Sequence, residues 1–142
     1  MGLGLISALF VLLLFVCMAT PSVCKRHILV VDDEPLVCET VTMILQFDGH
    51  QVDSASSGEQ ALTIFQPGKF DLVITDFFMP AMNGEKLAAT IKMRCPGQPV
   101  IMLTAYPEKL NQQQPLSVVD LFLGKPFEID TLRDAITQCV PS

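Results

Sequence analysis

From His27 onward, short continuous apolar runs alternate with stretches in which apolar residues return at helical spacing, and this alternation limits the fold more than any other feature. HILVV (27–31) is an uninterrupted apolar run, as expected of a strand covered on both faces. Pro35 suits the first turn of a helix. Val37, Val41, Ile44 and Leu45 give that helix one apolar stripe before Asp48-Gly49 ends it. QVDSA (51–55) alternates and reads as a weaker strand. Ser56-Ser57-Gly58-Glu59 has the composition of a capped helix start, with Ala61, Leu62 and Phe65 inward and Pro67-Gly68 as its break. DLVIT (71–75) is a third strand and runs into Asp76. A helix over 84–94 follows, with Leu87, Ala88 and Ile91 inward. PVIML (99–103) is a fourth strand ending at Thr104, and residues 107–114 are polar and make a poor helix. VVDLFL (118–123) reads as a fifth strand ahead of Gly124-Lys125-Pro126, and Leu132, Ile136 and Val140 mark a last helix.

Five such units predict an α/β fold: a doubly wound, five-stranded parallel sheet with helices on both faces and right-handed crossovers. Ligands of such sheets bind beyond the carboxyl ends of the strands. Asp32-Asp33-Glu34 follow the first strand, Asp76 the third, Thr104-Ala105 the fourth and Lys125-Pro126 the fifth. Taken singly, each has a plain structural explanation, such as a helix cap or a turn. Together they collect carboxylates, a hydroxyl and an ammonium at one edge of the sheet.

Carboxylates gathered this way repel. Two of them about 4 Å apart cost on the order of 4 kcal/mol at an effective dielectric near 20. A divalent cation removes that cost, and oxygen ligands of this type suit Mg²⁺. A carboxylate can attack phosphorus and form an acyl phosphate, Mg²⁺ can neutralise the transferring group, Lys125 can hold a phosphoryl oxygen, and Thr104 can donate to another. This explains why VITDFFMPAMNG (73–84) ends a buried strand on a carboxylate and then spends a stiff Met79-Pro80…Asn83-Gly84 turn behind it.

VVDDEP, DFFMPAMNG, LTA and KPF resemble the motifs of the response-regulator receiver domain, the single-domain type found in bacterial chemotaxis, over about residues 26–140. The resemblance implies a (βα)5 flavodoxin-like fold with strand order 2-1-3-4-5. It implies that Asp76 is the phosphoacceptor and that Asp32, Asp33, Asp76 and the backbone carbonyl of Phe78 hold Mg²⁺. Lys125 and Thr104 would bind and read the phosphoryl group, and the Lys125-Pro126 bond would be cis. The donor would be a histidine kinase or phosphotransfer protein, and the output a contact with a downstream protein. The domain would catalyse its own Mg²⁺-dependent phosphorylation and dephosphorylation on Asp76 without being an enzyme for another molecule. Two departures stand out. Phe122 occupies the switch position where the family usually has Tyr, so it can swing inward but has no hydroxyl. The pair Phe77-Phe78 is bulky where a smaller or more polar residue is common; it reads as packing or as a barrier to water.

Other readings meet specific obstacles. A haloacid-dehalogenase-type phosphatase needs a second Asp two residues past the nucleophile, where this chain has Phe78. A flavodoxin-like cofactor binder needs a phosphate-cradling Gly-rich loop, which does not follow the first strand. A degenerate receiver that binds protein without phosphorylation is the alternative that the intact acid, hydroxyl and lysine set weighs against. The net charge of −6 and the lack of a basic stripe argue against nucleic acid.

Residues 1–24 carry no charge and precede a domain of about 118 residues, a common size. Three readings stay open for them. One is a membrane anchor through residues 3–20, with Lys25 and Arg26 keeping the receiver at the cytoplasmic face of the inner membrane. Another is a signal peptide, which would lack the usual leading positive charge. The third is a start-site artefact, with translation from Met18 giving a cytosolic protein. The five cysteines, Cys17, Cys24, Cys38, Cys95 and Cys139, match no metal or redox spacing and read as reduced thiols.

Overall fold

A computed structural model describes residues 24–110 and 118–141. The strands are β1 (His27–Val31), β2 (Gln51–Ala55), β3 (Leu72–Asp76), β4 (Val100–Thr104) and β5 (Leu121–Gly124). The helices are α1 (Pro35–Phe47), α2 (Gly58–Ile64), α3 (Gly84–Arg94), α4 (Pro107–Leu110) and α5 (Ile129–Cys139). All strand pairs are parallel, in the order β2-β1-β3-β4-β5.

Successive strand residues point to opposite faces, and the apolar runs divide accordingly. Leu29, Val31, Val73, Val100 and Met102 pack on one side with Ala61 of α2 and Leu87, Ala88 and Ile91 of α3. Ile28, Val30, Leu72, Ile74, Ile101 and Leu103 pack on the other with Val41 and Leu45 of α1 and Leu132 and Ile136 of α5. Every residue of β3 and β4 is buried, which is why those strands are apolar without alternation. Each buried Leu or Ile side chain contributes on the order of 1.5–3 kcal/mol.

Local chemistry sets the helix ends. Ser57 accepts from the N–H of Gln60 at 3.1 Å, and Asn83 accepts from the N–H of Lys86 at 2.9 Å. Pro35 begins α1 without a side-chain cap. The chain progresses from β1 outward to β2 and then back to β3, so the crevice where strand order reverses lies between β1 and β3.

The fifth strand departs from the expectation of 118–123, beginning at Leu121 and ending at Gly124. Asp120 is therefore ahead of the strand rather than inside it. Its N–H donates to Val100 O at 2.9 Å, and its carboxylate accepts from Val100 N–H and from Lys92 Nζ, both at 2.8 Å. Val118 and Val119 are apolar because they pack under the α2–α3 side of the sheet, not because they pair in it. β3 and β4 each start one residue later than expected and take in Asp76 and Thr104 as their last residues. Residues 1–23 lie outside the described ones, and with them the three readings of the amino-terminal segment. Among the described residues no helix is long and apolar enough to cross a membrane. Cys38, Cys95 and Cys139 are free and half-buried, and Cys24 is free and exposed.

Candidate functional site

β1 and β3 deliver their acids to the same point. Asp32 follows β1 directly and is 2 % exposed; its Oδ1 accepts from the N–H of Glu34 at 2.9 Å. Asp76 is the last residue of β3 and is 6 % exposed. Asp33 is half-buried beside them. One ligand oxygen from each of Asp32, Asp33 and Asp76 lies within 4.8 Å of the others. Lys125, at the end of β5, reaches into the group: its Nζ is 3.1 Å from Asp32 Oδ2 and 3.1 Å from Asp76 Oδ1. The bond from Lys125 to Pro126 is cis, as the resemblance implied.

The electrostatics are asymmetric. Burial, the largest influence, pushes the Asp76 carboxyl above the ordinary carboxylate range. The charge and hydrogen bond of Lys125 and the N–H of Phe77 pull it down without offsetting that, and Asp32 pushes it further up. For Lys125, burial acts to lower the ammonium's pKa, but its contacts with Asp32 and Asp76 outweigh this and leave it raised. The lysine faces two carboxylates, whereas Asp76 faces one lysine and a second acid. Three clustered acids, two of them in contact with the one ammonium, leave an excess of negative charge in a low-dielectric crevice. That donor set of hard oxygens fits a divalent cation such as Mg²⁺.

The flanking residues are placed as follows. Thr104 is fully buried at the end of β4, and its Oγ1 accepts from the N–H of Tyr106 at 3.1 Å, so the hydroxyl proton is not consumed by that bond. Thr104 is thus held beside the cluster rather than in it. Phe122 is half-buried, pairs in register with Met102 and packs on the α2–α3 side. Phe78 lies two residues past Asp76; its ring is half exposed and meets Phe77 at 4.7 Å and Tyr106 at 5.8 Å, both edge-on. Tyr106 has no expected role by sequence, yet it joins the β4 end to the loop after β3 through both its N–H and its ring.

Gly84 is the residue that sequence reasoning undervalued. The loop after β3 doubles back, Gly84 N–H donates to Phe77 O at 2.8 Å, and Ala81 takes a positive φ of 65° to make the turn. A Cβ at Gly84 would run into the carbonyl oxygen of Asp76 and stand 3.0 Å from Phe77 Cα. Only a glycine lets α3 begin against the end of β3, so the backbone next to Asp76 is pinned. The Asn83-Gly84 pair was the visible sign; the close approach that demands it was not.

Comparison with known proteins matches this geometry. A profile of the response regulator receiver domain covers residues 28–137. The transcriptional regulatory protein GlrR of Escherichia coli K12 is 39 % identical over 117 residues, 80 % of this chain and 26 % of GlrR. The chain thus spans about a quarter of that relative's length. Sporulation initiation phosphotransferase F of Bacillus subtilis is 33 % identical over 119 residues, covering 82 % of this chain and 95 % of that one. Among solved structures, the response regulator TrrA of Thermotoga maritima in complex with Mg²⁺-BeF superposes with a TM-score of 0.75 at 35 % identity, over 81 % of this chain and 99 % of TrrA. Chemotaxis protein CheY4 of Vibrio cholerae gives 0.73 at 30 % identity, over 82 % and 99 %.

Proposed function

The chain belongs to the response-regulator receiver family, and from that premise we propose that Asp76 accepts a phosphoryl group from a histidine kinase or a phosphotransfer protein. The observation that carries this reading is a nearly buried carboxylate at the end of β3, in contact with Lys125 and flanked by two further acids. A carboxylate oxygen of Asp76 attacks phosphorus, the bond from phosphorus to the donor's imidazole nitrogen breaks, and the nitrogen keeps the electron pair. The product is an acyl phosphate. Lys125 holds one phosphoryl oxygen, and the free hydroxyl proton of Thr104 donates to another. Asp32, Asp33, Asp76 and the Phe78 carbonyl are the groups that would hold Mg²⁺. When bound, Mg²⁺ neutralises charge on the acids and on the transferring group.

The same residues serve both the transfer and its hydrolytic reversal, so the protein turns over its own acyl phosphate and no other substrate. Drawing Thr104 to the new charge takes its oxygen from Tyr106 N–H, and Phe122 moves toward the vacated space. The β4–β5 surface then changes its affinity for a downstream protein, a local charge event biasing a two-state element.

The test is the intact mass of the chain after incubation with acetyl phosphate, with and without Mg²⁺, beside Asp76→Asn. We expect a Mg²⁺-dependent gain of one phosphoryl group that the variant lacks. A folded protein that gains nothing under any condition would replace this reading with that of a phosphorylation-independent binding module.

A further inference from the structure

Two aromatic side chains stand half-exposed at the carboxyl ends of β3 and β4. Phe78 is 52 % exposed and Tyr106 47 %, yet their rings meet edge-on at 5.8 Å. The Phe65–Phe70 contact, by comparison, is buried in the core on the α2–α3 side. Phe78 and Tyr106 each lie two residues past the last residue of their strand, and the two strands are neighbours, with Asp76 in register with Leu103. The rings therefore bridge the end that carries Asp76 and the end that carries Thr104.

That bridge is attached to the Thr104 hydroxyl. Thr104 Oγ1 accepts from Tyr106 N–H at 3.1 Å, a local bond that fixes where the threonine side chain points. The backbone on both sides is held. The Thr104 carbonyl accepts from Lys125 N–H at 2.6 Å, and Phe77 N–H donates to Leu103 O at 2.9 Å at the root of the Phe78 loop. Turning the hydroxyl toward a group on Asp76 thus means either breaking its bond to Tyr106 or moving Tyr106 with it. The Phe78 ring opposes the second course, because an edge-on aromatic contact favours one placement of its partners beyond the area it buries.

We propose that the Phe78–Tyr106 contact is a latch that holds Thr104 in its resting position and so limits how readily the site takes up a phosphoryl group. Phe78 and Tyr106 act through Thr104 and are positioning residues. The latch presupposes that Asp76 is the phosphoacceptor. A ligand shifts a two-state element only by its differential affinity for the two states. Whatever the latch contributes to the resting state is therefore subtracted from the affinity for a phosphoryl group, or its analogue, on Asp76.

Binding of beryllofluoride, an analogue of the phosphoryl group, by the full chain in Mg²⁺ tests this through the sign of the effect. We expect Tyr106→Leu, which keeps the N–H and removes the ring, to bind it about fivefold more tightly, about 1 kcal/mol, with its affinity for Mg²⁺ alone unchanged. Phe78→Leu should tighten binding by the same factor, and the two substitutions together by no more than either alone, because both break one contact. Tyr106→Phe, with the N–H and a ring both kept, should match the parent. Unchanged or weaker binding by Tyr106→Leu, as mere loosening of the loops would give, would overturn the latch, and so would a double variant whose two factors multiply. A parent chain that binds Mg²⁺ but not beryllofluoride would instead overturn the phosphoacceptor reading of Asp76, and the latch with it.

Discussion

The two ends of the sheet treat carboxylates in opposite ways. At the amino ends of the strands, Asp71 accepts from His27 N–H at 2.8 Å, and Asp120 accepts from Val100 N–H and Lys92 at 2.8 Å. Each acid there has donors of its own. At the carboxyl ends, Asp32, Asp33 and Asp76 crowd together around one ammonium, which the two most buried acids share at 3.1 Å, and the remaining donors to those two are backbone N–H groups of Glu34 and Phe77. One end is neutralised within the chain. The other keeps an excess of negative charge that a divalent cation can answer.

Removing the shared cation should have the largest effect on that contrast. Lys125→Met is expected to cost on the order of 3 kcal/mol in urea unfolding with chelator present, because it leaves buried acids uncompensated. Lys92→Met at the amino end should cost less than about 1 kcal/mol, since Asp120 is partly exposed and keeps the Val100 N–H. Equal losses at the two ends would break the comparison.

Mg²⁺ should sharpen it. At about 100 times its dissociation constant, the ion is expected to raise unfolding free energy by about 2.7 kcal/mol, and Asp33→Asn should cut that gain. A gain unaffected by Asp33→Asn would place the ion elsewhere.

Glycine substitutions probe the backbone at each end. Gly84→Ala, whose Cβ meets the Asp76 carbonyl, should cost about 2 kcal/mol and weaken the Mg²⁺ response by displacing the end of β3. Gly97→Ala, in the turn before β4 with open space around its Cβ, should be neutral or stabilising by less than about 1 kcal/mol. Comparable losses from both would mean that the strand end tolerates movement.

The smallest effect is a pH dependence at the amino end. Burial, the dominant influence, lowers the His50 pKa; Asp48 acts to raise it and Arg26 to lower it. The folded state therefore favours neutral His50, whose Nδ1 accepts from Arg26 N–H. That stability is fully present above the ordinary histidine range near 6.5 and is lost as pH falls below it, levelling off beneath the folded pKa. Comparing melting temperatures at pH 8 and 5.5 against His50→Gln isolates the effect. A variant that loses more stability on acidification than the parent would reverse the sign.

Most of the fold was legible because strand and helix periods are local. HILVV and QVDSA became β1 and β2 with the expected bounds, and Leu87, Ala88 and Ile91 turned inward as their spacing required. The fifth strand was read too early because Val118 and Val119 are apolar for packing, which looks the same in sequence as pairing. The site was legible as a set of residue types at strand ends. Its internal partnerships were not: that Thr104 serves Tyr106, that Phe78 meets Tyr106, and that Gly84 must clear the Asp76 carbonyl.

The sequence by itself therefore determined the α/β alternation, the strand ends at which chemistry could gather, and the residue types gathered there. Each of these follows from periodicity or position within about a dozen residues. Only the tertiary structure decided how the charges are shared. Lys125 and Asp32 stand 93 positions apart, and their contact exists because β1 and β5 lie in one parallel sheet with all carboxyl ends together. Burial then sets the strength of that contact. A carboxylate's cost depends on the dielectric around it and on the few ångströms to its neighbours, quantities that no single stretch of chain contains.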